Sequence, residues 1–559
     1  MNTGAKIGLG LLAVGGAGVA GAYLWMGSTS TLDGLLNAIP HDTVVVVTSQ
    51  GIPELLEDYH ILQSDLSPAF ISNEEWESMR KELPIDINPA DFIVNAKLNP
   101  LGITALTGYA DFSSEIPKSL CGAYYLPSLS SQDSAEYLKT FAEEQMKAVG
   151  MPLSIENADG IYRIMQVAWA AHSDWVVFAT CEEGDAQTYL KSVVASKNGI
   201  KGEAVGTLLG NMSQGDWQMV AAVNVKTLHN QIDTLSDMDR SIAEVLESID
   251  IKEYEAFGIK GYMGTGTMNM DLSVQFSSAD ATILSYLTKI ETSKMIDRLP
   301  GDPILVAQQG FNIQQQLDLI LKADPMMGDQ YEEAKTEFQN QVGMDLENDF
   351  IKKIGDQAGM ALVHDEFLFG GHLWVELESG HKFKELAEKA LEEMGEMGIN
   401  KDEKDGAIFI QTPPSMSQMI GLPDLSLTVG VTPTELVVSA GKSVPNMVKD
   451  LGKDTIASKM NSSLKSKFTG SSYGGAVFDF ASARTLLDNE MIKNALDDEM
   501  RDDERKMFDV IANSLKDLSV TSKLNGDTVT TTMTLNGTSG TAFSDIIKDT
   551  VIPEIKKGF

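Results

Sequence analysis

Positive charge is scarce in this 559-residue chain, which has 43 lysines and arginines against 80 aspartates and glutamates and a net charge of −37. Nucleic acids are bound largely by neutralising their phosphates, so this balance excludes that class of partner. Hydrophobic residues make up 43% of the chain and charged residues 22%, as in packed globular proteins. The acidic excess is therefore expected on solvated surfaces. At roughly 100 to 200 residues per domain, the length predicts about two to four domains, or two large ones.

Cysteine is almost absent, because Cys121 and Cys181 are the only two in the sequence. Neither lies near the N-terminus, which excludes a lipoprotein anchor. Both lie in strand-like segments, LCGAYYL and VVFATC. In an oxidising compartment they would form one disulfide; the alternative is two buried free thiols, because sequence does not show whether two cysteines touch.

Charge is missing altogether from residues 7–26, IGLGLLAVGGAGVAGAYLWM, and about 20 apolar residues match the hydrocarbon core of a bilayer. Lys6 precedes this segment and Asp33 is the first charge after it, so the positive-inside rule puts the N-terminus in the cytoplasm. A cleaved signal peptide is the alternative, since Ala20-Gly21-Ala22 suits a peptidase. The further apolar residues at 23–26 favour a retained anchor. We expect a single-pass inner-membrane protein with its bulk in the periplasm or outside.

The exported part contains two similar halves, offset by about 250 to 260 residues, which indicates an internal duplication. LNAIPHDTVVVVTS at 36–49 resembles IDRLPGDPILVAQQ at 296–309, and PIDINPADFI at 84–93 resembles GMDLENDFI at 343–351. CGAYYL and GGHLWVEL each precede a helix with an apolar face, and DWVVFAT matches ELVVSAG. Each half therefore repeats one order of strands and helices.

Hairpins recur at matching points of the two halves. Asp159-Gly160 and Asp405-Gly406 are typical of hairpin turns, because glycine tolerates positive φ. Each half closes with a hairpin whose apolar residues alternate: Phe257, Ile259, Met268, Met270, Leu272 and Val274 in the first; Leu518, Val520, Leu524, Val529, Thr531, Met533 and Leu535 in the second. A period of two predicts that one face of each sheet is buried.

The predicted fold class is α+β: an N-terminal transmembrane helix followed by two duplicated α+β domains with mainly antiparallel sheets. The predicted divisions are an anchor or signal peptide at 1–31, repeat domains at 32–280 and 281–540, and a C-terminal helix or tail at 541–559.

The stretch VGMDLENDFIKKIGDQAGMALV at 342–363, with the two-fold pattern and the N-terminal anchor, resembles the bacterial exported proteins classed as domain of unknown function 3352. That family has a Gly-hydrophobic-Asp-Leu stretch followed by Gly-Asp and a strand of small and apolar residues. The first-half segment, ELPIDINPADFIVNAKLNP, contains proline instead and lacks the Gly-Asp. The resemblance implies an architecture, and it brings no activity and no catalytic residues.

Two motifs resemble those of enzymes in part. Gly470-Ser471-Ser472-Tyr473-Gly474 fits the serine hydrolase pattern, but the strand follows the serine instead of preceding it, so we interpret it as a loop entering a strand. Ala440-Gly441-Lys442-Ser443 resembles a phosphate-binding loop, but Leu436 stands where the first glycine is required.

No metal site is predicted. His364, His372 and His381 are close in sequence, but the first two flank a predicted turn at Gly370-Gly371, and we interpret all three as strand-end or loop residues. A calcium loop at Asp405-Gly406 would place Lys401 at its first ligand position, which a cation repels.

Two compositional features have ordinary interpretations. The acidic run at 497–504 is typical of a solvated helix. The chain has 27 methionines, and most of them lie at core periodicity, which favours packing over copper binding.

These observations favour a non-catalytic binding or scaffolding protein of the cell envelope, without cofactor, whose partner is another envelope protein. The alternative is a carrier of lipid or another apolar ligand at the membrane. A serine hydrolase has the least support, because it depends on the misplaced Ser472 motif.

Overall fold

The computed structural model describes residues 31–49, 95–99, 102–111, 119–148, 154–196, 199–232, 251–264, 266–290, 293–323, 325–366, 369–394, 399–412, 425–468, 472–487, 489 and 513–538. The predicted anchor at 7–26, the acidic run at 497–504 and the tail at 541–559 lie outside these ranges. Within them, no helix combines the length and the apolar character that crossing a membrane requires. The described residues divide into two compact units, 31–277 and 278–538.

The helices of the first unit are α1 Leu32–Ala38, α2 Ser131–Ala148, α3 Ala186–Ala195, α4 Ala204–Met212 and α5 Val225–Ile232, with 3₁₀ turns at Ile200–Gly202 and Ile251–Glu253. Its strands are β1 Val45–Ser49, β2 Thr104–Asp111, β3 Ser119–Pro127, β4 Glu156–Ala158, β5 Ile161–Ile164, β6 Val167–His172, β7 Trp175–Glu183, β8 Met219–Asn224, β9 Tyr254–Gly264 and β10 Thr267–Phe276. The described strands of this unit form one sheet in the order β4-β5-β6-β7-β3-β2-β1-β8-β9-β10, and these neighbours all pair antiparallel.

The helices of the second unit are α6 Lys294–Arg298, α7 Ile313–Ala323, α8 Pro325–Val342, α9 Phe383–Met394, α10 Val444–Met447, α11 Ile456–Lys459, α12 Ser462–Lys465 and α13 Phe480–Leu487. It also has 3₁₀ turns at Thr282–Tyr286, Ile351–Lys353, Val448–Asp450 and Ser466–Phe468 and a π-helical turn at Leu346–Phe350. Its strands are β11 Pro303–Gly310, β12 Ile354–His364, β13 Phe369–Leu377, β14 Asn400–Lys404, β15 Ala407–Gln411, β16 Ser426–Val431, β17 Glu435–Gly441, β18 Ser472–Asp479, β19 Leu515–Asn525 and β20 Thr528–Gly537.

The described strands of the second unit repeat the order of the first, β14-β15-β16-β17-β13-β12-β11-β18-β19-β20, again with antiparallel neighbours. The chain is therefore α+β with antiparallel sheets. The structure shifts the match between DWVVFAT and ELVVSAG by one residue. In the sheet, the equivalent of Trp175 is Glu435, not Leu436. Trp175 and Glu435 are both buried, and each is the first residue of its strand, β7 or β17; the Glu435 carbonyl accepts the Thr432 amide at the turn equivalent to the one where Trp175 pairs with His172.

One face of the first sheet, which we call the inner face, is covered by α1, α3 and α4. Leu35, Leu190 and Leu208 from these helices pack on Val46 and Tyr125 of the sheet. Polar caps fix two of the helices: the Thr31 hydroxyl accepts the Gly34 amide at 3.1 Å, and the Asp185 carboxylate accepts the Thr188 amide at 3.0 Å. In the second unit, α6, α10, α11 and α12 cover the inner face in the same way.

The opposite, outer face of each sheet is covered by a helix at one end. Helix α2 packs Leu138 and Phe141 against Trp169 of β6, as its apolar periodicity predicts. Helix α9 packs Phe383 and Leu391 beside β15 to β17 in the second unit. Within the described ranges, α2 and α9 cover one end of the outer faces, and α13 also reaches the outer face of the second sheet, where Phe480 packs edge-on against Phe478 of β18.

The structure joins Cys121 of β3 to Cys181 of β7 in a disulfide, with the two cysteines directly opposite each other and 60 residues apart in sequence. The equivalent positions of the second unit are Gly370 and Gly441. A Cβ atom added to Gly441 would lie 3.2 Å from Gly370 Cα, so the two backbones meet where the first unit has a covalent link.

Asp159-Gly160 and Asp405-Gly406 form the hairpin turns that the sequence predicts. Their φ angles are 56° and 81° in the first turn and 53° and 82° in the second, the two positive values that a type I′ turn requires. The Asp405 turn joins β14 to β15 and is not a calcium loop.

Candidate functional site

The residues of the serine hydrolase motif that the structure describes begin a strand. Ser472 is the first residue of β18 and lies opposite Lys523 of β19. A nucleophile elbow needs the serine on a turn that leaves a strand, so this position does not match that geometry. Gly470 and Ser471 lie outside the described ranges.

His372 corrects the interpretation of the histidines, because it lies inside β13 with 2% of its surface exposed. Gly370 and Gly371 belong to the same strand, so the predicted turn there is wrong; β12 connects to β13 through 365–368. Gly370 is a glycine because the strand packs closely there and not because the chain turns: a Cβ at this position would lie 2.5 Å from Cγ2 of Val444. The sequence pattern did not separate a packing glycine from a turn glycine.

His372 and Ser439 form a buried serine–histidine pair, with Nδ1 and Oγ 2.7 Å apart. Nε2 lies 3.1 Å from the carbonyl oxygen of Pro300 and donates to it, so Nδ1 accepts the serine hydroxyl. Burial lowers the pKa of His372 to about 4. Because Ser439 has no exposed surface, the pair supports the inner face and does not meet a substrate.

The other two clustered histidines lie apart from this pair. His364 ends β12, and His381 Nε2 lies 3.0 Å from the Thr432 carbonyl oxygen. Across the described ranges, no group of three or more His, Cys, Asp or Glu side chains is placed to bind a metal.

The loop after β17 binds an anion from this chain. The backbone amides of Lys442 and Ser443 and the Ser443 hydroxyl all donate to the carboxylate of Asp365, with the Ser443 amide at 2.9 Å. Burial alone would raise the pKa of Asp365, but these hydrogen bonds hold it below its usual value. The site that resembles a phosphate loop is therefore filled by an internal carboxylate.

The outer face of the first sheet carries a continuous apolar row beyond the end covered by α2. We call it the first open row, and each member lies directly opposite the next across five strands: Leu272, Ile259, Ala221, Val47 and Leu106. Leu272, Ile259 and Leu106 have 44%, 42% and 52% of their surfaces exposed. Beyond Leu106 the row continues through Tyr124 and Phe178, which pack beside the cluster under α2.

The two rows that flank the first open row also lack charge. One consists of Val274, Phe257, Val223, Val45 and Gly108, and the other of Met270, Gly261, Met219, Ser49 and Thr104. The hydroxyls of Ser49 and Thr104 lie 2.6 Å apart and satisfy each other. In a chain in which 22% of residues are charged, these fifteen neighbouring outward positions carry no charge.

Polar residues of the closing hairpin β9–β10 face the helices instead, which corrects the expected orientation. The alternating apolar residues were predicted to form the buried face, yet Ser273, on the inner face, is 1% exposed while Ile259 and Leu272 point outward. Helix α4 explains the inversion: a Cβ on Gly258 would lie 2.4 Å from Sδ of Met212, so the inner face has no room for large side chains there.

The second unit repeats both features. Its second open row consists of Met533, Val520, Ala476, Ala307 and Met360. Met360 is 41% exposed, and the adjoining Leu373 of β13 is 57% exposed. On the inner face of the closing hairpin, Asp517 and Ser519 are buried, and the Asn536 side chain donates to Asp517 at 2.7 Å.

The methionine interpretation is correct for one set and wrong for another. Met212 and Met295 pack in the inner-face cores. Met219, Met270 and Met360 are exposed on the outer faces. The spacing of the methionines did not predict that these three point outward, because alternation along a strand marks two faces without telling which one is covered by helices. The sequence feature that could have predicted it is the absence of charge along whole rows.

The open rows offer hydrophobic and dispersion contacts. Four of the five strands in each row are paired on both sides and use their backbone hydrogen bonds on neighbouring strands, so a partner on this face meets mainly side chains. Monomeric soluble proteins rarely leave large contiguous apolar patches exposed, and such patches mark binding sites.

Comparisons with protein-family models, with curated proteins and with solved structures find no match for this chain. The resemblance to domain of unknown function 3352 therefore stays a prediction.

Proposed function

We propose that this chain is a non-catalytic binding protein of the cell envelope, and that its two open rows are the binding surfaces for an apolar partner. The observation that carries the proposal is the outward, charge-free apolar row that both units have at equivalent strands. Two sequences that have otherwise diverged keep the same unusual orientation of their closing hairpins. A shared binding role explains this better than folding does, because the inner faces already supply the cores.

The envelope location has two supports. The apolar segment at 7–26 is long enough to span a bilayer. The only two cysteines are joined in a disulfide, and disulfides persist mainly in oxidising compartments. The segment favours a membrane anchor, and the disulfide favours a bulk that lies in the periplasm or outside.

Native mass spectrometry of the full-length chain, extracted gently from its own membranes, tests the proposal. The test variant combines Leu106→Asp with Met360→Asp, one change in each open row. The matched control is Leu129→Asp, which alters a leucine of similar exposure, 42%, in the loop before α2. We expect the wild type and the control to retain a partner, either a lipid adduct or a bound envelope protein, and the double variant to lose it.

Two results would contradict the proposal. One is a wild-type chain that carries no adduct and no partner. The other is a double variant that folds and retains the same partner at the wild-type level.

A further inference from the structure

The first open row has the dimensions of a lipid tail. Neighbouring strands are about 4.8 Å apart, so the five strands from β10 to β2 place Leu272 and Leu106 roughly 19 Å apart. One leaflet contributes about half of the roughly 30 Å hydrocarbon core, or about 15 Å. An extended acyl chain therefore fits along the row, and the second open row crosses five strands in the same way.

The chemistry of the row also matches an acyl chain. An acyl tail needs neither hydrogen bonds nor charged groups from its binding site. The fifteen outward positions of the first unit carry no charge. Methionine side chains adapt to irregular apolar shapes, and Met219 and Met270 flank the row.

Other occupants fit less well. A second copy of the chain would bring two net charges of −37 together. The surface of an anionic bilayer would also repel this protein. A peptide that adds to a sheet needs the hydrogen bonds of an edge strand, and four of the five strands of the row, β2, β1, β8 and β9, are paired on both sides.

Resting on the proposed function, we infer that each open row binds one lipid acyl chain, which lies across the strands from β10 to β2 in the first unit and from β20 to β12 in the second. The contacts are the outward side chains of the row and its flanks. The binding capacity is therefore two acyl chains per protein.

Photo-crosslinking in intact membranes tests this with the full chain. The probe is a fatty acid with a diazirine in mid-chain, which the cells incorporate into their own lipids. After illumination, mass spectrometry of peptides locates the labelled residues. We expect labels on peptides of β2 and β9, around Leu106 and Ile259, and on those of β12 and β19.

Charge introduced into one row should act on that row alone. Leu106→Asp should lower labelling of the first unit at least tenfold, because a carboxylate would have to be desolvated beneath the tail. Labelling of β12 and β19 should stay unchanged, and Leu129→Asp should leave both units labelled. Ile259→Asp, in β9 of the same row, gives a second test should Leu106→Asp fail to fold.

Labelling confined to residues 7–26, or equal labelling of the wild type and Leu106→Asp, would overturn the inference. These results would not by themselves refute the proposed binding function. A protein partner that the Leu106→Asp, Met360→Asp chain loses, with no lipid label on either row, would keep the binding role and refute the acyl chain.

Discussion

His372 and Glu435 show how single residues distinguish the two units. The equivalents of His372 and Glu435 in the first unit are Ala123 and Trp175, both buried and apolar. In the second unit, Glu435 is 2% exposed, accepts the indole N–H of Trp374 at 2.8 Å and pairs with Arg298. Buried polar groups are tolerated when they are hydrogen-bonded, so the second inner face is held partly by polar contacts that the first does not need.

Protonation of His372 should destabilise the chain in mild acid. Its folded pKa of about 4 lies below the unfolded value of about 6.5, so the folded state binds fewer protons. The contribution is fully present above pH 6.5 and is lost as the pH falls toward 4, by about 2 kcal/mol between pH 7 and 5. Urea unfolding at both pH values measures it. His372→Gln should show a pH dependence smaller by that amount, and equal slopes for both proteins would refute the prediction.

The Cys121–Cys181 disulfide should contribute strongly to stability. It closes a 60-residue separation, for which restriction of the unfolded chain predicts about 4 kcal/mol. Cys121→Ala with Cys181→Ala, and separately reduction of the wild type, should each lower the free energy of unfolding by a similar amount in urea titrations. Identical midpoints for oxidised and reduced protein would contradict this.

The closing hairpins show what an element-level pattern does and does not predict. Alternation correctly predicts strands β9, β10, β19 and β20, and the apolar spacing of 131–148 correctly predicts the face that α2 buries. A period of two is symmetric, however, and identifies two faces without saying which one meets helices. That choice depends on a distant contact between Gly258 and Met212, which no local pattern contains.

Two glycines in the first unit should respond in opposite directions to alanine. Gly160, with φ of 81°, occupies the I′ turn, so Gly160→Ala should cost about 1 kcal/mol. Gly210 lies in α4, and a Cβ there meets nothing within 4 Å. Gly210→Ala should therefore stabilise the unit by about 0.5–1 kcal/mol. Thermal unfolding compares the two, and a shift of the same sign would be evidence against the assigned conformations.

Polar substitution on the outer face should leave the fold intact. Ile259 and Leu272 are opposite each other and more than 40% exposed, so changing both to Thr should cost less than about 1 kcal/mol. Gly258→Val, on the inner face of the same hairpin, should cost about 1–3 kcal/mol because it overlaps Met212. Chemical denaturation of both variants checks the contrast. A costlier outer-face pair would mean that this face is part of the core.

At the scale of the whole molecule, the order of elements in the two halves could be compared from sequence because strand segments such as 36–49 and 296–309 have kept their spacing. The disulfide pairing and the direction of the open rows could not, since both depend on which strands lie side by side. β3 meets β7 across an intervening helix and three strands. The residues within a short segment do not indicate which distant segment it will pair with.

The excess of negative charge should make stability depend on salt. A net charge of −37 repels itself in the folded state, and added ions screen that repulsion. Raising sodium chloride from about 10 to 200 mM shortens the screening length from roughly 30 to below 10 Å, and the melting temperature should rise. A melting temperature that falls or stays constant would show that the acidic residues are compensated locally.

The order of strands along the chain also bears on synthesis. All ten described strands of the first sheet, and both cysteines, are encoded before residue 277. At about 5–20 residues per second, the remaining half takes the ribosome tens of seconds, whereas antiparallel domains of this kind fold in roughly milliseconds to seconds. The first open row can therefore be assembled while the second is still being made, so under the proposed function a nascent chain would meet its partner one row at a time.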